Sequence, residues 1–173
     1  QRIGQYEIRR YIRRGGMAEL YEAEHLGLRK RVAIKVLRAE AAENDRIRKR
    51  FLREGERAAR VEHPNIVDVT DVGEIESTPY LVMELLDGET LGDRLDLDGR
   101  LDVEDAIEVL APVMAAVWAG HRQGVVHRDL KPDNIFLARV GKRRLHPKVL
   151  DFGISRLVDE EEPRLTLPAP VVG

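Results

Sequence analysis

The chain has 173 residues, 43% hydrophobic and 35% charged, which is enough apolar material for a buried core and too much for a disordered segment. A formal net charge of −2 offers nucleic acid or an anionic membrane no sequence-blind attraction, so neither is an expected partner. The absence of cysteine excludes a disulfide framework and a thiolate metal site, and suits a cytoplasmic protein. The longest nearly apolar run, residues 109–120, falls well short of the roughly 20 residues a membrane span needs. A start at Gln1 and a stop at Gly173 predict that both ends continue, so a tether outside this piece is compatible with the sequence.

Residues 6–12 alternate polar and apolar, the pattern of a half-buried strand. Arg14-Gly15-Gly16-Met17 is a turn, and residues 20–23 and 31–37 are further strands. Residues 43–60 are predicted helical, because Phe51, Glu54, Ala58 and Val61 recur at helical spacing. Residues 67–73 and 80–85 supply two more strands. Asp102 can cap a long helix over 103–123, with Glu104 and Asp105 in its first turn. Ile107, Leu110, Met114, Val117 and Trp118 form an apolar stripe along it, and Pro112 lies inside it. Short apolar segments follow at 135–138 and 148–150, then an acidic and Pro-rich tail. The layout is α+β: a strand-rich half and a helical half, joined near Asp87-Gly88.

Four motifs stand in register. They are Val32-Ala33-Ile34-Lys35, His63-Pro64-Asn65-Ile66-Val67, His127-Arg128-Asp129-Leu130-Lys131-Pro132-Asp133-Asn134, and Asp151-Phe152-Gly153. In this set and order the chain resembles the eukaryotic-type Ser/Thr protein kinases, and the Gly15-Gly16-Met17 turn resembles their bacterial branch. The resemblance covers the chain from about Tyr6 onward and stops within the activation segment. It implies a bilobal fold, with an N-lobe over 1–86 (antiparallel sheet and one helix) and an incomplete C-lobe over 87–173. It also implies ATP and Mg²⁺ as cofactors and protein Ser/Thr hydroxyls as substrates, in bacterial signalling.

Phosphoryl transfer requires phosphates held still, charge neutralised and a hydroxyl aimed in line. On a strand, Ala33 and Lys35 share one face and Val32 and Ile34 the other. Ala33 can therefore lie flat against a base while Lys35 reaches toward phosphate. Glu54 shares the inward helix face of Phe51 and Ala58 and is the expected partner of Lys35. By resemblance, Asp129 is the catalytic-loop carboxylate, Lys131 offsets charge on the transferring group, and Asn134 and Asp151 are the magnesium ligands. The same resemblance makes Met83, Glu84 and Leu86 the gatekeeper and hinge. Ile12, Leu20 and Ala33 are the implied roof of the adenine pocket and Phe136 its floor. Gly15 and Gly16 belong to the glycine-rich loop, and His127 is read as structural. Thr166 is the expected phosphosite.

The family loop reads G-x-G-x-x-G-x-V, where this chain has Arg13-Arg14-Gly15-Gly16-Met17-Ala18-Glu19-Leu20. Arg13 restricts the backbone where glycine is free, although its guanidinium can reach phosphate. The sequence-based expectation is that Arg13→Gly tightens ATP binding or leaves it unchanged. Arg13 and Ala18 also support the alternative of a pseudokinase or nucleotide-binding scaffold; a small-molecule kinase of the same fold is a further alternative, against which Lys131-Pro132 speaks. The piece by itself is expected to be inactive on protein substrates and to expose the stripe of the long helix.

Overall fold

Short turns between alternating segments make the first half an antiparallel sheet. In this structure, a computed structural model that describes residues 1–141 and 144–151, the strands are β1 (Arg2–Ile3), β2 (Tyr6–Arg14), β3 (Ala18–His25), β4 (Lys30–Leu37), β5 (Val69–Ile75) and β6 (Thr78–Glu84). Their order across the sheet is β1-β2-β3-β4-β6-β5. The period of two in β4 sorts side chains as expected. Ala33 and Leu37 join Phe51, Val67, Leu81 and Met83 in one cluster. Val32 and Ile34 join Ile3, Tyr6, Ala23 and Val82 in another on the opposite face. The predicted strands recur with ends shifted by a few residues; β1 was not foreseen.

The helix expected over 43–60 is α2 (Asp45–Ala58), and a short helix that was not foreseen, α1 (Ala39–Ala42), precedes it. Asn44 separates them because its side chain accepts the Arg46 and Ile47 N–H groups and so opens a new helix. α2 buries Phe51, Glu54, Gly55 and Ala58. It meets the sheet at Gly55, where a Cβ would stand 2.2 Å from Leu81 Cδ2.

Beyond the junction come β7 (Gly88–Thr90) and α3 (Leu91–Asp98), neither predicted. A reciprocal box between Thr90 and Asp93 opens α3, and Gly99 in the left-handed region closes it. α4 (Val103–Arg122) starts at its expected cap, Asp102, which accepts the Asp105 N–H. β8 (Ile135–Val140) and β9 (Arg144–Val149) complete a three-stranded sheet in the order β7-β8-β9. Val109, Val113 and Ala116 of α4 pack on Ile66, Ile135, Leu137 and Val149, with Val117 partly buried beside them. Ile107, Leu110, Met114 and Trp118 lie exposed on the other side of α4. The stripe read from the sequence is thus mainly this outer face, while a second row faces the core.

Candidate active site

Lys35 lies in the middle of the large sheet, opposite Leu20 on β3 and Leu81 on β6. Its Nζ stands 2.7 Å from Asp151 Oδ1. Asp151 follows Leu150 at the end of β9, and the segment before β5 holds β9 in place. The Val67 N–H donates to the Val149 carbonyl at 3.0 Å, and the Val149 N–H to the Asn65 carbonyl at 2.8 Å. Asn65 Nδ2 donates to the Pro147 carbonyl at 2.7 Å. The His63-to-Val67 motif is therefore a clamp that seats the strand leading to Asp151, a role its sequence alone did not disclose.

The loop after α4 gathers the other polar groups. Asn134 Nδ2 donates to the Asp129 carbonyl at 2.8 Å and to Asp129 Oδ2 at 3.0 Å. Lys131 Nζ lies 3.2 Å from the same Oδ2. The Leu150 N–H donates to the Asn134 carbonyl at 2.8 Å, which ties this loop to the residue before Asp151. Lys35, Asp129, Lys131, Asn134 and Asp151 thus belong to one connected region where the lobes meet. His127 is buried within it. Its Nε2 lies 2.8 Å from the Leu150 carbonyl and so carries the proton, while Nδ1 accepts the Asp129 N–H at 3.3 Å. Burial lowers its pKa further than neighbouring groups raise it, so the ring is a neutral brace.

Burial opposes the charge on Asp151, but the Lys35 ammonium outweighs it and holds the carboxyl below its ordinary value. Arg128 and Asp151 both occupy the left-handed region, at φ 68° and 53°, an uncommon conformation for residues with a Cβ.

Glu54 departs from expectation. It is not paired with Lys35: Arg50, one turn earlier on α2, holds Oε1 at 3.1 Å. Its Oε2 is buried with no hydrogen-bond partner among the described residues. Burial raises its pKa despite Arg50. The reason is local: an i,i+4 partner on the same helix is always within reach, whereas Lys35 has a carboxylate from the other lobe.

Ala33 pairs directly with Met83. Leu20 and Leu86 pack against the cluster that contains both. Ile12 is half-buried on β2, and Phe136 is half-buried on β8 opposite Thr90 and Lys148. Gly15 and Gly16 form an exposed turn in which the Gly15 N–H donates to the Ala18 carbonyl at 2.8 Å. Glu84, the last residue of β6, is bound to Lys148 of β9. Sequence reasoning passed over Lys148 and Arg50 and named Asn65 only as part of its motif; for Arg50 the i,i+4 spacing to Glu54 carried a signal. Phe152, Gly153 and Thr166 lie outside the described residues.

The family model described as "Protein kinase domain" matches residues 6–170. The chain belongs to this family. It is 42% identical over 98% of its length to the probable serine/threonine-protein kinase SCO3848 of Streptomyces coelicolor, of which it covers 25%. It is 40% identical over 97% of its length to the serine/threonine-protein kinase PknB of Mycobacterium tuberculosis, of which it covers 27%. The chain therefore spans about a quarter of these curated relatives. The crystal structure of the Mycobacterium tuberculosis PknI kinase domain superposes with a TM-score of 0.79 at 30% identity, over 90% of this chain and 62% of that one. The fold is that of a bilobal protein kinase with part of its C-lobe.

Proposed function

We propose that this chain carries the nucleotide-binding and phosphoryl-transfer centre of a bacterial Ser/Thr protein kinase. The observation that carries the reading is the meeting of Lys35 and Asp151 at 2.7 Å, beside the linked group Asp129, Lys131 and Asn134. ATP is the donor and a protein hydroxyl the acceptor. Lys35 leaves Asp151 to hold the α- and β-phosphates. Asp129 orients the hydroxyl and takes its proton as that oxygen bonds to the γ-phosphorus and the bond to the β-phosphate oxygen breaks, releasing ADP. Lys131 offsets charge on the transferring group. Ile12, Gly15, Gly16, Leu20, Ala33, Met83, Glu84, Leu86 and Phe136 enclose the nucleotide. Glu54 exchanges Arg50 for Lys35 when the phosphates engage.

The donor set fits magnesium. Asn134 turns its amide nitrogen toward Asp129, which leaves its carbonyl oxygen to act as a hard ligand, and Asp151 supplies a carboxylate. Among the described residues no group of three or more acidic, His or Cys side chains forms a cage. That suits an ion bound through one or two side chains plus substrate phosphates. When bound, Mg²⁺ neutralises charge on the phosphates. Among the described residues no helix is long and apolar enough to cross a membrane. A cytoplasmic location and autophosphorylation at Thr166 complete the reading. The relatives named as Ser/Thr protein kinases favour transfer over the scaffold alternative.

The test is transfer of the γ-phosphoryl group of ATP by the full-length chain, to itself and to a Ser/Thr-containing protein. Transfer that needs Mg²⁺ and is abolished by Asp129→Asn supports the reading. Nucleotide binding without transfer would leave the scaffold.

A further inference from the structure

β9 delivers Asp151 to the site, and one of its residues reaches back to the large sheet. Lys148 Nζ lies 2.5 Å from Glu84 Oε1 and 3.4 Å from the Ile66 carbonyl. The side chains are only 14% and 26% exposed. Glu84 is fixed from a second side: its N–H donates to the Asp68 carbonyl at 3.0 Å, and its Oε1 accepts the Asp68 N–H at 2.9 Å. Lys148 is also the register partner of Phe136, so the two share a face of the small sheet. The lysine stem thus runs beside the residue read as the adenine floor, and its ammonium ends on the residue read as the hinge.

An exposed Lys–Glu pair carries little energy. This pair is mostly withdrawn from water, and its carboxylate oxygen is shared with a backbone N–H, so its geometry is constrained rather than averaged. It joins the end of β6 to a point three residues before Asp151. Those are the two places where the base edge and the phosphates would be held.

We propose that Lys148 is a positioning residue for the nucleotide. Through Glu84 it fixes the hinge end of β6 against β9, so that base and phosphates are met in one geometry. This rests on the transfer reading above.

The experiment measures ATP·Mg²⁺ binding by titration calorimetry and steady-state kinetics on the full-length chain. Lys148→Met is expected to raise Kd and KM for ATP about tenfold while kcat at saturating ATP stays within twofold. Lys148→Arg restores most of the affinity. Glu84→Gln breaks the same pair from the other side and reproduces the KM change, and the double variant is no worse than either single one. Variants that bind ATP like a wild type that itself binds it overturn the proposal alone, as does a fall in kcat with KM unchanged. A wild type that binds no nucleotide overturns the transfer reading and this proposal together.

Discussion

Lys35 and Asp151, 116 residues apart in sequence, form a 2.7 Å ion pair between the large sheet and the segment just after β9 of the small one. The lysine side chain is 19% exposed and the carboxylate 26%. Neither is fully dry, and neither is free in solvent. Because the ammonium holds Asp151 below its ordinary pKa, ionisation of this carboxyl favours the folded state at neutral pH.

The pair's contribution depends on pH. The folded-state pKa of Asp151 lies below the ordinary 3.8, so its stabilising effect is present above that value and lost as pH falls through the lowered one. In Lys35→Met the burial penalty stays and the ammonium goes. The variant should lose about 2 kcal/mol at pH 7, less than a fully buried pair costs when broken. The difference should begin to shrink as pH falls below 3.8 and vanish only below the lowered folded value, where both proteins carry a neutral Asp151. Urea unfolding at pH 7 and at a series of acid pH values measures it. A difference that does not change with pH would mean the two groups are not coupled.

Glu54 has the opposite sign. Its folded pKa is raised above the ordinary 4.5, so stability falls as pH rises from that value through the raised one. Glu54→Gln should remove this fall, so that the variant gains on wild type between pH 4 and pH 7. Arg50→Gln should steepen it, because burial then acts without its nearest counter-charge. Unfolding curves across this range decide the matter. A flat wild-type profile would show that Glu54 titrates as if in water.

Part of the fold is legible in the sequence. Alternation in β4 was enough to put Ala33 and Lys35 on one face, because a strand has only two. Asp102 announced α4 because a capping carboxylate is a local device. The pairing of Glu54 was not legible, since helix periodicity gives the face but not which cation wins there. α3 escaped because its eight residues, rich in Asp, show little periodicity; the Thr90-x-x-Asp93 box was the one usable signal. Lys148 escaped because its partner comes from another sheet, 64 residues away. Contacts of that kind follow from topology rather than pattern.

Gly88 marks the junction, and its glycine is required. Its φ is 147°, and a Cβ there would lie 2.1 Å from the Leu137 carbonyl oxygen. That oxygen belongs to β8, paired on both sides, and cannot retreat. Gly88→Ala should cost about 3 kcal/mol from backbone strain and overpacking together. Thermal unfolding of the full-length chain tests this; an unchanged Tm would mean that β7 is not paired as described.

The outer face of α4 predicts how these 173 residues behave in isolation. Ile107, Leu110, Met114 and Trp118 form an exposed apolar row, a surface that soluble monomers rarely leave open. The isolated piece should self-associate at micromolar concentration. Trp118 is the chain's one tryptophan and 65% exposed, so its emission reports on the face directly. Emission should shift to the blue as concentration rises, and Ile107→Glu with Met114→Lys should abolish both the shift and the association in sedimentation. A monomer at all concentrations would sink this reading.

Arg13 admits an outcome opposite to the one the glycine-rich pattern suggests. It is an exposed residue near the end of β2, opposite Leu20, and its positive charge helps to lower the pKa of Asp151 and of Asp93 on α3. Replacing it with glycine frees the backbone at the end of β2, which costs about 1 kcal/mol to order again, and removes a cation whose field reaches Asp151. Both changes oppose binding. Arg13→Gly should weaken ATP binding about threefold at low salt, with the electrostatic part of that loss fading toward 1 M salt as screening shortens to about 3 Å. Titrations at the two ionic strengths separate the effects. Tighter binding at both would show that the Arg13 side chain obstructs the loop instead of supporting the phosphates.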